Sequence, residues 1–218
     1  MHYLFSAYNY RLSDPASIPN LTLQHLSIVG IAMLCSIIIA IPIGLFVSRH
    51  RRLYLPIMTV AGVLYSIPGI ALVAVLITIT GLTLKTILVP LIAYNQLALI
   101  RNTVASINGI DPSLIEVGHA IGMNRRQLIG RVIFPLALPV IVAGIRIATV
   151  TTIGIASLAG FIGQGGLGSL IFINITVRDY DAILAGALLL AALAVVADIC
   201  LLSIQTALNR GRGALTVS

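Results

Sequence analysis

Long apolar runs alternate with short polar ones along this chain. Five of the runs, at about 24–47, 55–79, 86–106, 136–158 and 182–206, are long enough to cross a hydrocarbon core of ~30 Å as helices. A further apolar stretch at 155–175 carries glycines that argue against a plain sixth helix. The pattern predicts an all-α, polytopic membrane protein of about five spans, organised as one domain over 1–218.

The longest stretch that cannot sit in a bilayer runs from Asp111 to Pro139. Asp111 followed by Pro112 is a helix start: a side-chain acceptor, then a proline where its missing N–H does no harm. Leu114, Val117 and Ile121 recur on one face of that helix, with Glu116 and His119 beside them. Gly122 interrupts it. Asn124 can cap a second short helix with an apolar stripe of Leu128 and Val132, polar Arg125, Arg126 and Arg131, and an end at Pro135. Helix, glycine turn, helix is the reading: a compact knob outside the membrane.

Composition agrees with lipid as the main solvent. The chain is 59% hydrophobic and 9% charged, where a soluble domain carries roughly 25% charged residues. The net charge of +7 comes with a single lysine and no long basic cluster, so it reads as positive loops of a membrane protein and not as a nucleic-acid surface. Placing the 49–52 loop in the cytoplasm brings Arg49, Arg51, Arg52, Arg101, Arg125, Arg126, Arg131, Arg210 and Arg212 to or near the inner side. Only Arg11, Lys85 and Arg178 then fall outside, which favours an outer N-terminus, an inner C-terminus and a cytoplasmic knob. Residues 1–21, with Tyr3, Phe5, Tyr8 and Tyr10, read as an outer arm lying on the membrane surface rather than a secretory signal. Cys35 and Cys200 lie in separate apolar runs and predict no disulfide.

Prolines 42, 56, 68 and 90 should break spans, because each removes a helix N–H and crowds the preceding turn. Ser66-Ile67-Pro68-Gly69 is the sharpest case and marks either a gate or a packing kink. Gly163, Gly165 and Gly168 have the spacing GxGxxG, but they follow a membrane span and not a strand. They read as a glycine-rich outer turn where helices approach closely. There is no phosphate-binding loop, HExxH or CxxC pattern. Asp198 is the one carboxylate deep in a span, and Arg146 is the basic residue well inside another. An unpaired charge there is costly, so the two are candidates to pair, and Asp198 is equally a candidate for lining a pathway.

The knob carries a spacing with a further meaning. Glu116-Val117-Gly118, three residues, Gly122, nine residues, then Val132-Ile133-Phe134-Pro135 resembles the cytoplasmic motif Glu-Ala-Ala, three residues, Gly, nine residues, Ile-x-Leu-Pro. That motif belongs to the permease subunits of binding-protein-dependent ABC importers. The departures are size changes on an apolar surface. Ser-Ile-Pro-Gly at 66–69, Leu99-Ile-Arg-Asn-Thr103, the run from Leu136 to Arg146 and the run from Phe161 to Gly168 look like the osmoprotectant branch, which imports glycine betaine, choline or carnitine.

The resemblance implies a type I ABC-importer permease fold in the bacterial cytoplasmic (inner) membrane. Coupling helices at 111–135 would dock on a cytoplasmic ATPase through Glu116, Val117, Gly118, Gly122, Asn124, Arg125 and Arg126. It also implies a second permease subunit, identical or not, and an external or periplasmic substrate-binding protein. ATP and Mg would belong to the partner ATPase, with no cofactor in this chain. A quaternary ammonium is well held by aromatic faces, and Ser66, Pro68, Tyr65, Tyr94 and Asn95 are the candidates for a gate or pathway. For the last three, core packing or helix–helix hydrogen bonding is the alternative. A permease for methionine or another small solute is the rival within the class. Outside it stand a passive channel and a membrane-embedded enzyme dependent on Asp198.

Overall fold

The computed structural model describes residues 3 and 6–213. His2 and Phe5 lie outside the described residues, as do the side chains of Arg210 and Arg212. Among the described residues there is helix and turn but no strand. Among the described residues these α-helices follow in order: α1 Ile18–Arg49, α2 Arg51–Ser66, α3 Gly69–Thr80, α4 Leu84–Asn108, α5 Pro112–Ala120, α6 Arg125–Leu128, α7 Phe134–Ala156, α8 Leu158–Phe161, α9 Gly168–Val177 and α10 Tyr180–Gly213. A 3₁₀ turn at Ala7–Tyr10 precedes them.

Among the described residues, four helical stretches are long and apolar enough to cross a membrane: Ile18–Arg49, Leu84–Asn108, Arg125–Phe161 and Tyr180–Asn209. Helices α2 and α3 make a fifth only when taken together, and they are bent by 90°. In a bilayer every backbone N–H and C=O must be satisfied within the protein, so a spanning segment stays helical wherever it can. That explains why Pro42 in α1, Pro56 in α2 and Pro90 in α4 are carried inside continuous helices, contrary to the expectation that each breaks its span. Only Ile67-Pro68 does so. Ile67 is extended at φ −71°, ψ 128°, the region to which a following proline confines a residue.

A second expectation is corrected at Pro135. Instead of ending the second knob helix, the chain continues from α6 through a π-helical turn at Ile129–Ile133 into α7. The Phe134 N–H donates to the Ile129 carbonyl, a wider loop than the α-helical one. The widened turn makes room just ahead of Pro135, which occupies the first turn of α7, where its ring and missing N–H are tolerated.

Helix α4 is the hub, packing against α1, α2, α3 and α7, while α10 packs on α7 and α9. Ile87, Leu91, Leu99 and Ile100 of α4 are almost wholly buried with Ala32 and Val47 of α1 and Ile153 and Ala156 of α7. Lipid tails are as apolar as leucine, so close packing rather than water exclusion holds such helices together, and small residues mark the crossings. A Cβ at Gly44 of α1 would lie 2.6 Å from the Thr103 Cβ of α4, and one at Gly144 of α7 would lie 2.6 Å from the Asn102 Cβ. Polar groups add specific ties. The amide of Asn95 on α4 donates to Ser36 Oγ of α1 at 3.1 Å and accepts from Thr152 Oγ1 of α7 at 2.9 Å. The buried His25 Nε2–H of α1 donates to the Ile153 carbonyl at 3.0 Å.

The glycine-rich segment after α8 does not make a sixth span; α9 has only 10 residues. Gly163, Gly165 and Gly166 take φ between 74° and 81°, open to glycine at little cost. The turn is tied to two neighbours: Gln24 Oε1 accepts from the Gly166 N–H at 3.0 Å, and Gln164 Nε2 donates to the Leu82 carbonyl at 2.8 Å. It therefore closes the end of the bundle opposite the knob.

Candidate functional site

Three features carry charge or polar groups where an inert bundle would not: the knob, the bend between α2 and α3, and a charged pair between α7 and α10.

The knob is built by its caps. Asp111 Oδ1 accepts from the Ser113 N–H at 2.9 Å at the start of α5. The hydrogen bonds from the Ser113 backbone, and then from its side chain, hold the Asp111 carboxyl below its ordinary value. Asn124 and Gln127 form a reciprocal capping box on α6, with the Gln127 N–H donating to Asn124 Oδ1 at 3.0 Å and the Asn124 N–H to Gln127 Oε1 at 2.9 Å. Between the two helices Gly122 turns the chain at φ 79°. Gly118 is buried against Leu128, itself 5% exposed; a Cβ there would lie 2.6 Å from Leu128 Cδ1. The glycine that replaces a motif alanine thus lets α5 lie closely on α6.

The face turned away from Leu128 has no cover. Leu114, Val117 and Ile121 are 44%, 58% and 68% exposed, and Glu116, Asn124, Arg125 and Arg126 are exposed around them. An apolar ridge rimmed by charges, on a helical knob between two long apolar spans, has the character of an interaction surface.

The bend sets a second site. Tyr94 Oη donates to the Ile67 carbonyl at 2.8 Å, satisfying a group that the broken helix leaves open. Tyr65, at the end of α2, meets Tyr94 edge-on with ring centroids 5.9 Å apart. Together with Asn95, both rings line a cavity of about 420 Å³ between α2, α4 and α7. Ser66 and Pro68 are not among its walls: Ser66 Oγ bonds back to the Val63 carbonyl at 2.8 Å, and Pro68 shapes the bend. The Asn95 amide is spent between helices on Ser36 and Thr152, so it borders the cavity as a strut. A larger cavity of about 540 Å³ lies at the far end, between Gln24, Gln164 and Asn174, but it lacks this convergence of aromatic and charged groups.

Arg101 and Asn102 of the cavity wall escaped the sequence reading as pathway residues. Arg101 was counted with the basic residues near the inner ends of spans. The signal was present as spacing: Tyr94, Ala98, Arg101, Asn102 and Ala105 follow one face of α4. What the sequence lacked was the rotation of α7, which brings Ala148 and Thr151 opposite.

In the third feature, Arg146 Nε donates to Asp198 Oδ1 at 2.5 Å, and Arg146 Nη1 to Gln205 Oε1 at 3.4 Å. Asp198 and Gln205 are two turns apart on α10. Neither charge lines the α2–α4–α7 cavity. Among the described residues no group of three or more metal-ligating side chains occurs.

The family model described as "Binding-protein-dependent transport system inner membrane component" matches residues 32–213. Osmoprotectant import permease protein OsmW of Salmonella typhimurium is 37% identical over 206 residues, covering 92% of this chain and 96% of that protein. Choline transport system permease protein OpuBB of Bacillus subtilis is 36% identical, over 81% of this chain and 82% of its own. Carnitine transport permease protein OpuCD of Listeria monocytogenes is 37% identical, over 85% and 84%. Among solved structures, an inward-facing MetNI methionine ABC transporter chain superposes with a TM-score of 0.73 at 23% identity, covering 85% of this chain and 93% of that one, a likeness of fold.

Proposed function

The chain belongs to the family of binding-protein-dependent transport system inner membrane components, and from that premise we propose that it forms the membrane path of an importer for a quaternary-ammonium osmoprotectant. It is a permease subunit of an ABC importer, a transport component whose ATPase is a separate chain, with the fold of a type I importer permease. Glycine betaine, choline or carnitine is the substrate class, supported by the names of the relatives above.

The observation that carries the mechanism is the uncovered ridge of Leu114, Val117 and Ile121 beside Glu116. In this reading it seats in a groove of a cytoplasmic ATPase, with Gly118 and Gly122 setting the shape of the knob and Arg125 and Arg126 at its rim. The ATPase binds ATP and Mg; this chain binds neither. The knob is continuous with α7 through the π turn, so a push on it is delivered along a helix that lines the cavity. Closure of the ATPase opens the path outward, and hydrolysis resets it inward. The N-terminus is outside, the C-terminus inside, and a binding protein delivers substrate to the end closed by the glycine turn. A second permease subunit, identical or related, completes the walls of the cavity.

Purification of the tagged chain from its own cells in mild detergent tests the docking. The ATPase is expected to accompany the wild type, and Glu116→Arg is expected to lose it together with uptake of glycine betaine. Normal uptake by that variant would overturn the docking role.

A further inference from the structure

Arg101 is the unusual wall of the α2–α4–α7 cavity. It lies seven residues before the end of α4, roughly 10 Å inside it at a rise of 1.5 Å per residue. No hydrogen bond or ion pair holds its side chain among the described residues, unlike Arg146, which has Asp198. An ionised residue at such depth normally pairs or faces a functional path. Seven residues earlier on the same face stands Tyr94, its hydroxyl fixed on Ile67 and its ring against Tyr65.

The cavity is therefore bipolar. One end offers two aromatic rings and no formal charge, which suits a trimethylammonium group. The other offers the Arg101 guanidinium, whose planar fork suits a carboxylate, with Asn102 beside it; the same side chain also borders a neighbouring cavity of about 480 Å³ with Arg51 and Tyr54. The two Cα positions are about 10 Å apart along α4, within the joint reach of a tyrosine and an arginine side chain across a small zwitterion.

We propose that Arg101 receives the carboxylate of the transported solute, so that the path favours quaternary-ammonium carboxylates such as glycine betaine or carnitine over the carboxylate-free cation choline. This rests on the importer reading above. It narrows the substrate class within it and assigns the preference to a residue of the membrane path, separate from any preference of the binding protein.

The test uses the intact importer, purified with its own ATPase and binding protein and sealed in liposomes with internal ATP. Initial uptake of glycine betaine and of choline is measured at saturating solute. Arg101→Gln is expected to slow betaine uptake about tenfold or more, the scale of a lost charge-assisted hydrogen bond, while leaving choline uptake within about twofold. ATPase stimulation by the loaded binding protein should persist, and Arg101→Lys should restore much of the betaine rate. Equal loss of both solutes, or loss of ATPase stimulation in parallel with uptake, assigns Arg101 to structure and overturns the proposal. So does an unchanged betaine rate. A wild type that carries neither solute overturns the osmoprotectant reading, and this proposal with it; a change confined to the Arg101 variants bears on this proposal alone.

Discussion

Arg146 on α7 holds Asp198 on α10 at 2.5 Å, and its Nη1 donates to Gln205 Oε1 of the same helix at 3.4 Å. The two side chains keep 30% and 35% of their surface, and α10 leaves Val195, Val196 and Ile199 exposed around them. A charge pair of this kind fixes how α10 is rotated on α7, which apolar contacts alone specify poorly.

Breaking that pair on one side leaves the other charge alone at membrane depth. Asp198→Ala should lower the thermal stability of the detergent-purified protein by about 1.5–3 kcal/mol, the range for a hydrogen bond to a charged group. Replacing both, Arg146→Met with Asp198→Leu, should recover most of that loss, because an apolar pair needs no compensation. Additive losses in the double variant would show that the two residues do not act as a unit.

Backbone contacts at the glycine turn make a sharper test of packing. A Cβ at Gly160 would collide with the backbone of Gly168 and Ser169, and one at Gly168 with the Ser157 carbonyl. Neither neighbour is a side chain that can swing aside, so Gly168→Ala should cost at least the ~1–3 kcal/mol typical of overpacking. Gly30→Ala meets nothing within 4 Å inside α1 and should be neutral or slightly stabilising, since alanine is the better helix former. Thermal unfolding of the two variants side by side decides it; equal stabilities would mean that α8 and α9 can slide apart freely.

The cap at Asp111 predicts a pH dependence of known sign. Its carboxyl is held below the ordinary value by the Ser113 N–H. A depressed folded pKa means that the cap's contribution is complete above the unfolded value of about 3.9 and is lost as pH falls through the folded one. Hydrogen exchange over 113–120 should thus be faster in Asp111→Ala than in wild type at neutral pH, and the difference should close in strong acid. A difference that is constant across pH would assign the protection to something other than the ionised cap.

Much of this architecture was legible in the chain because lipid imposes a simple rule: long apolar runs become helices, and polar interruptions become loops or knobs. The caps at Asp111 and Asn124, the turn at Gly122 and the break at Pro68 each follow from one or two residues and their local stereochemistry. The π turn at Ile129–Ile133 was not legible, since five residues do not separate a 3.6-residue period from a wider one. The same limit made Pro135 read as a stop. The role of Asn95 depended on Ser36 and Thr152, 59 and 57 residues away, and Arg101 read as one more positive residue until α7 was laid beside it.

Pro68 gives the last prediction. The bend between α2 and α3 is set by Ile67, which the following proline keeps extended, and is held by the Tyr94 hydroxyl on the Ile67 carbonyl. Gly69 lies just beyond, where a Cβ would sit 3.3 Å from Leu158 Cδ1 and 3.8 Å from the Tyr94 ring, so α3 is anchored close to α4 and α8. Pro68→Ala frees Ile67 to enter the helical region and gives back the N–H that would join α2 to α3. Straightening would swing Tyr65 away from Tyr94 and open the aromatic end of the cavity. Uptake should therefore fall while ATP hydrolysis by the assembled importer continues, an uncoupled phenotype. Tyr94→Phe keeps the ring and loses only the bond to Ile67, worth about 0.6 kcal/mol in a membrane interior, so it should show the same defect in milder form. A Pro68→Ala importer with normal uptake per ATP would make the bend a packing detail and move the gate elsewhere.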